Sequence, residues 1–189
     1  MMRYLLIVVA ATFFFTSCNN SNRPEKIEMK SDKPEQKAAT QKGSDLLQLA
    51  EFTMKIPDSW EKAQPSSEMR MLEFNVPEAK SNIAGFYFGQ REEMVEANIN
   101  RWRGQYKKEK SFDRETYDQG QIFVRIAGTY KKKPFPMAQE FTETPGYMAL
   151  AAIVPSSQGP YFFKMVGEKE NVSKVEEEFI GFIRSYSKK

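Results

Sequence analysis

The sequence predicts an α+β domain, an antiparallel sheet of about six strands with two packed helices. The elements run three strands, a helix, three strands, a helix. Three observations carry this. Aromatic residues make up 13% of the chain, fifteen of them Phe, which favours a packed sheet over a disordered chain. Apolar residues alternate with period two in segments separated by proline-containing turns. In two places the period switches to steps of three and four, the spacing of an amphipathic helix.

The domain is expected to span 45–189, opening with Leu46, Leu47 and Leu49. Phe52, Met54 and Ile56 alternate as a strand that Pro57-Asp58-Ser59 turns, and Trp60 is expected to fold back over the sheet. Met69 to Val76 reads as a second strand, with Leu72, Phe74 and Val76 on one face. Ile83 to Phe88 reads as a third, and its Phe86-Tyr87-Phe88 run predicts that both faces are covered.

From Glu92 to Lys108 the spacing predicts a helix. Val95, Ile99, Trp102 and Tyr106 form its apolar stripe. Glu92, Glu93 and Glu96 crowd one end and Lys107 and Lys108 the other, as the helix dipole favours. Gln121 to Tyr130 returns to strand period, and Lys131 to Thr144 reads as an irregular surface excursion. Tyr147–Val154 and Tyr161–Val166 form a hairpin across Pro155–Pro160. The final helix buries Val172, Val175, Phe179, Phe182, Ile183 and Tyr186. Ser173 with Glu176 fits a capping box, and Asn171 is a rival cap.

The N-terminus is of another kind. Arg3 precedes an apolar run of twelve residues, Tyr4 to Phe15, and Thr16 and Ser17 lead into Cys18, the one cysteine. A spanning helix needs about 20 apolar residues, so the run matches a secretory signal instead. The Phe15-Thr16-Ser17-Cys18 string resembles the lipobox of bacterial lipoproteins. An ordinary signal peptide, or an anchor that is never cut, is the competing reading. The resemblance implies a signal peptide over 1–17 and diacylglycerol on the Cys18 sulfur. Two or three acyl chains hold firmly where a single chain is marginal. Asn19 follows the cysteine, and by the sorting rules of diderm bacteria this implies a periplasm-facing place on the outer membrane. Residues 18–44 hold no aromatic and only Ile27 and Met29 as large apolar residues, so they read as a disordered tether with a reach of about 25–30 Å. Cys18→Ser is expected to abolish labelling by a palmitate analogue; label retained on the serine variant would remove the lipoprotein reading.

Composition excludes several chemistries. There is no histidine, and the lipid would consume the only thiol. A Ser-His-Asp triad, a Cys-His pair and the common zinc sites are impossible. No cofactor or metal is expected. Formal net charge is +3 and falls to about +2 once Arg3 is removed with the signal, a balance that argues against bulk nucleic-acid binding.

The Ile56-Pro57-Asp58-Ser59-Trp60 start, the strand Tyr161-Phe162-Phe163-Lys164-Met165 and the closing helix through Phe179 and Phe182 to Arg184-Ser185-Tyr186 resemble the PsbP-like fold. The chain is also similar to uncharacterised bacterial envelope lipoproteins that carry the same Asn98-Ile99-Asn100-Arg101-Trp102-Arg103-Gly104-Gln105 string. Members of the wider fold tend to bind proteins and not to act as enzymes, which is what the resemblance implies here.

Two sets of residues are candidate interaction sites. Asn98, Arg101 and Gln105 lie three and four apart, on a common helical face beside Ile99 and Trp102, and Arg101 offers a forked donor to a carboxylate or phosphate. Arg103, Lys107, Lys108, Lys110 and Lys131, Lys132 and Lys133 would form a basic patch if helix end and loop are close. The acidic residues Glu168, Glu170 and Glu176–Glu178 are accounted for by the helix dipole. The expectation is a non-enzymatic protein-interaction module of the cell envelope. The alternatives are a carrier or sensor of a small or lipidic ligand, and a weak carboxylate hydrolase.

Overall fold

A computed structural model of the chain describes residues 46–49, 51–89, 93–135 and 137–189. The expected signal peptide, Cys18 and the tether lie outside the described residues. Among those described, no helix is long and apolar enough to cross a membrane.

The chain forms β1 (Leu46–Gln48), β2 (Phe52–Lys55), β3 (Glu61–Ala63), β4 (Leu72–Val76), β5 (Ser81–Tyr87), α1 (Met94–Arg103), β6 (Tyr106–Thr116), β7 (Ile122–Lys132), β8 (Thr142–Val154) and β9 (Tyr161–Glu168). A helical run follows as α2 (Lys169–Val172), a 3-10 turn (Ser173–Val175) and α3 (Glu176–Arg184), and β10 (Ser187–Lys188) ends the chain. Seven strands build one sheet in the order β3-β4-β5-β9-β8-β7-β6, and β1-β2-β10 form a smaller one. Every pairing is antiparallel. The fold class is therefore α+β, as expected, with the strands divided between two sheets and not gathered into one of about six.

The order has a simple cause. α1 leaves β5 in the middle of the sheet and crosses one face to reach β6 at the far edge. The meander β6 to β9 then returns to pair with β5. Both faces of the central strands are consequently covered. On β8, Met148, Leu150, Ala152 and Val154 face one apolar cluster while Ala149, Ala151 and Ile153 face the other, so the strand is buried without interruption from Met148 on. The α1 face holds Ile99, Trp102 and Tyr106 against Val124, Ile126 and Phe162. The opposite face takes Phe179, Phe182 and Ile183 of α3, together with Phe52 and Met54 of the small sheet. Trp60 lies in that core against Phe74, Phe179 and Phe182, so it does fold back as expected.

Three expectations about elements are corrected. The first helix ends at Arg103, and Lys107 and Lys108 lie on β6. Tyr106 continues the helical step of four, but it is buried as the first residue of a strand. The arginines Arg101 and Arg103, and not the lysines, occupy the last helical turn. The second correction is β6 itself, an edge strand whose Lys and Glu side chains are largely exposed, as edge strands commonly are. The third is the cap. The helical run starts at Lys169, Ser173 lies inside it in helical geometry, and no side chain caps either segment. Asn171 is turned to Glu168 and Lys174.

The long hairpin of β7 and β8 reaches beyond β9, whose pairing with β8 stops at Tyr147. Beyond that point Pro145 needs no ladder partner on the β9 side. Pro145 and Gly146 oppose the single residue Thr129, a bulge in which Gly146 takes φ 75°. Gly128 sits at the same bend. A Cβ there would meet the Lys108 carbonyl oxygen at 2.1 Å, so only glycine lets β6 and β7 approach.

Candidate functional site

The residues singled out from the sequence fall at the C-terminal end of α1 and the tip of the β7–β8 hairpin. Asn98 is buried; its Nδ2 donates to the Met94 carbonyl at 2.8 Å, and its Oδ1 accepts from Arg101 Nη2. Trp102 points into the sheet, edge-on to Phe162 at 6.2 Å between ring centres. Gln105 sits in the turn that leaves the helix. Its side-chain oxygen accepts a hydrogen bond from Lys164 Nζ, which lies 5.9 Å from the Trp102 ring centre.

Sequence reasoning missed Lys164. It is the charged residue in the apolar run Tyr161-Phe162-Phe163-Lys164-Met165 of a central strand. A lone lysine in such a strand is the signal that was there to be read. Burial pushes its pKa down to about 7, and the positive charge of Arg101 adds to the shift. Burial likewise holds the Arg101 guanidinium below its ordinary value.

The basic residues do not form one patch. Arg103 makes a two-pronged pair with Glu109, at 2.8 and 2.9 Å, and stacks over Phe112. Lys107 pairs with Glu143. Helix end and loop are close: Lys131 Nζ donates to the Gly104 carbonyl at 2.9 Å and its backbone N–H to the Gln105 carbonyl at 2.8 Å. Lys132 and Lys133 are exposed. Beyond them the described tip residues Phe135, Met137 and Phe141 are 61%, 83% and 41% exposed. One exposed apolar side chain such as Met69, at 69%, is ordinary, but three within seven residues of one tip make a candidate interaction surface.

The acidic residues expected to serve the helix dipole are engaged otherwise as well. Glu176 pairs with Arg125, and Glu178 accepts from Ser59 Oγ at 2.7 Å and Trp60 Nε1 at 3.1 Å. Among the described residues no group of three His, Cys, Asp or Glu could hold a metal ion. Two depressions lie on the surface of the described residues. One is lined by Asn75, Val76, Pro77, Lys80, Ser81 and Asn82, and the other lies around Thr116–Gln121 and Arg184. Neither includes the α1 residues.

Lys164 gives stability a particular pH dependence. Its folded pKa is about 7 against an ordinary 10.5, so between these values the unfolded chain binds a proton that the folded chain has released. Stability therefore rises with pH across that window, by up to about 1.4 kcal/mol per unit. Below pH 7 both states are protonated and this contribution is at its least favourable. Above pH 10 the direction reverses, because burial raises the Tyr106 and Tyr130 pKa values and those phenols ionise first in the unfolded chain. Urea midpoints from pH 6 to 11 are expected to peak near pH 10, and Lys164→Met to flatten the rise. A flat parent profile between pH 7 and 10 would contradict the burial of the amine.

No protein-family model matches the chain, and no curated protein matches it. Among solved structures it is similar to the solution structure of cyanobacterial PsbP (CyanoP) from Synechocystis sp. PCC 6803. The two share 10% identity at a TM-score of 0.45, over 73% of this chain and 86% of that one. No residue role is taken from that likeness.

Proposed function

We propose that this chain is a membrane-anchored lipoprotein of the bacterial cell envelope that acts without catalysis. The lipid on Cys18 holds it on the periplasmic side of the outer membrane, and the tether over 18–44 lets the domain range. Its business end is the β7–β8 tip, which docks an envelope protein. The observation that carries this is the exposure of Phe135, Met137 and Phe141 beside Lys132 and Lys133. Both apolar clusters of the domain are complete without these side chains. The tip has exposed Lys132 and Lys133 on one limb and exposed Glu140 and Glu143 on the other, so its apolar centre fits a partner cleft that is apolar inside and charged at its rim. The absence of histidine from the whole sequence supports the non-enzymatic reading. The carrier alternative needs an enclosed apolar cavity; of the two depressions, the one around Asn75–Asn82 is wide open and mixes polar with apolar surface, and the one around Thr116–Gln121 is lined mainly by polar groups. The experiment is site-specific photo-cross-linking from Met137 in the intact envelope.

A further inference from the structure

At the α1 end, Arg101 and Lys164 have no acid beside them among the described residues. Of the described arginines, Arg70 pairs with Glu73, Arg103 with Glu109, Arg114 with Glu96, and Arg125 with Asp113 and Glu176. Arg184 lies over the Tyr117 ring. Among the described residues Arg101 has the neutral Asn98 as partner, and Lys164 has Gln105 and the Trp102 face. Among the described residues neither has a carboxylate within ion-pair distance. Arg101 lies four residues before Gln105, one turn away, and Gln105 holds the Lys164 amine.

The sheet is built to seat this lysine. Its register partners are Ala84 on β5 and Ala151 on β8, so the side chain rises between two methyl groups. An apolar residue would fill the same place without the cost of burying a charge. Holding the Lys164 ammonium near the exposed Arg101 is unfavourable, and the strain is relieved either by loss of the lysine proton or by an arriving counter-charge. A helix C-terminus ordinarily repels anions through its free carbonyls. Here Lys131 covers the Gly104 carbonyl with Nζ and the Gln105 carbonyl with its backbone N–H, which offsets that repulsion.

We propose that Arg101, Lys164 and Gln105 form a binding site for a small oxyanion, the carboxylate or phosphate group of a ligand. Arg101 supplies a planar fork, Lys164 a point charge, and the Gln105 amide a further donor. The groups facing Lys164 are Arg101, Trp102 and Gln105 from the helix side, Ala84 on β5, Ala151 on β8, and Phe162 and Val166 on β9. Arg101 is the one charged group among them. Oxyanion binding therefore requires Lys164 to be protonated, and binding in turn must raise its proton affinity. The site is separate from the β7–β8 tip and stands whether or not that tip docks a partner.

The test is NMR of the full lipidated chain in neutral detergent, with lysine labelled at Cε and the Lys164 signal assigned by its loss in Lys164→Met. Inorganic phosphate and acetate are titrated at constant ionic strength with chloride. The Lys164 midpoint is expected near 7 in chloride and to move up by about one unit or more at saturation. Affinity is expected to fall up to about tenfold per pH unit above the free midpoint. Arg101→Gln should abolish the shift while the remaining lysine signals stay in place; if that variant fails to fold, Gln105→Ala is expected to weaken binding in the same direction. Response to both anions makes the site a general oxyanion site, and response to one names its class. A Lys164 midpoint unmoved by either anion would overturn the proposal.

Discussion

Phe182→Ala is expected to destabilise the domain by about 3–5 kcal/mol, the range for emptying a fully buried aromatic site. Phe182 is 1% exposed and meets Trp60, Phe74 and Phe163 at ring-centre distances of 5.1, 6.4 and 5.4 Å. These three come from the loop after β2, from β4 and from β9, so one ring joins α3 to both halves of the seven-stranded sheet and to its approach. The surrounding rings cannot all close on an alanine, and the cavity remains. At a urea slope of about 1–3 kcal/mol per molar, the midpoint should fall by at least one molar. A loss below about 1 kcal/mol would mean that α3 does not close this core.

Trp102→Ala tests the opposite face, with an expected loss of about 3–5 kcal/mol. Trp102 is 2% exposed and is the largest side chain between α1 and the sheet. It has a second consequence that Phe182 lacks. The indole lies beneath the Lys164 amine, so its removal should admit water and let the lysine pKa return toward 10.5. Two readouts therefore move together, the melt and the Lys164 titration. Loss below about 1 kcal/mol in a chemical melt would show that the helix stripe was misread.

Much of the core was legible because its residues are spaced for one surface. The stripe Val172, Val175, Phe179, Phe182, Ile183 and Tyr186 is buried as the spacing predicts. The β8–β9 hairpin, with its turn over Pro155–Pro160, was legible from its apolar runs. β6 was not, because an edge strand buries so little that its sequence shows no alternation. Tyr106 disguised the boundary further by falling where both a helix and a strand would bury it. The small sheet depends on Ser187 and Lys188 finding Thr53 and Phe52, a pairing that no local pattern announces. At the site, helical spacing accounts for Asn98 and Arg101, whereas Gln105 lies past the end of α1, in the turn before β6. The meeting of Gln105 with Lys164 joins residues 59 apart in sequence, and the return of β9 to the sheet centre brings it about. Two members of the expected basic set, Arg103 and Lys107, are paired for a related reason, since Glu109 on β6 and Glu143 on β8 reach them.

The docking role of the β7–β8 tip is the central claim, and cross-linking from Met137 tests it most directly. A photo-reactive residue at this position, 83% exposed, replaces a side chain that supports no fold contact in either apolar cluster. The full-length chain is expressed in its native host cells and irradiated. The account predicts a discrete protein adduct of defined mass, lost when Lys132 and Lys133 are both changed to Glu and absent when the photo-reactive residue is moved to exposed Lys62 on β3. Adducts with lipid alone, or a protein adduct indifferent to both controls, would contradict it.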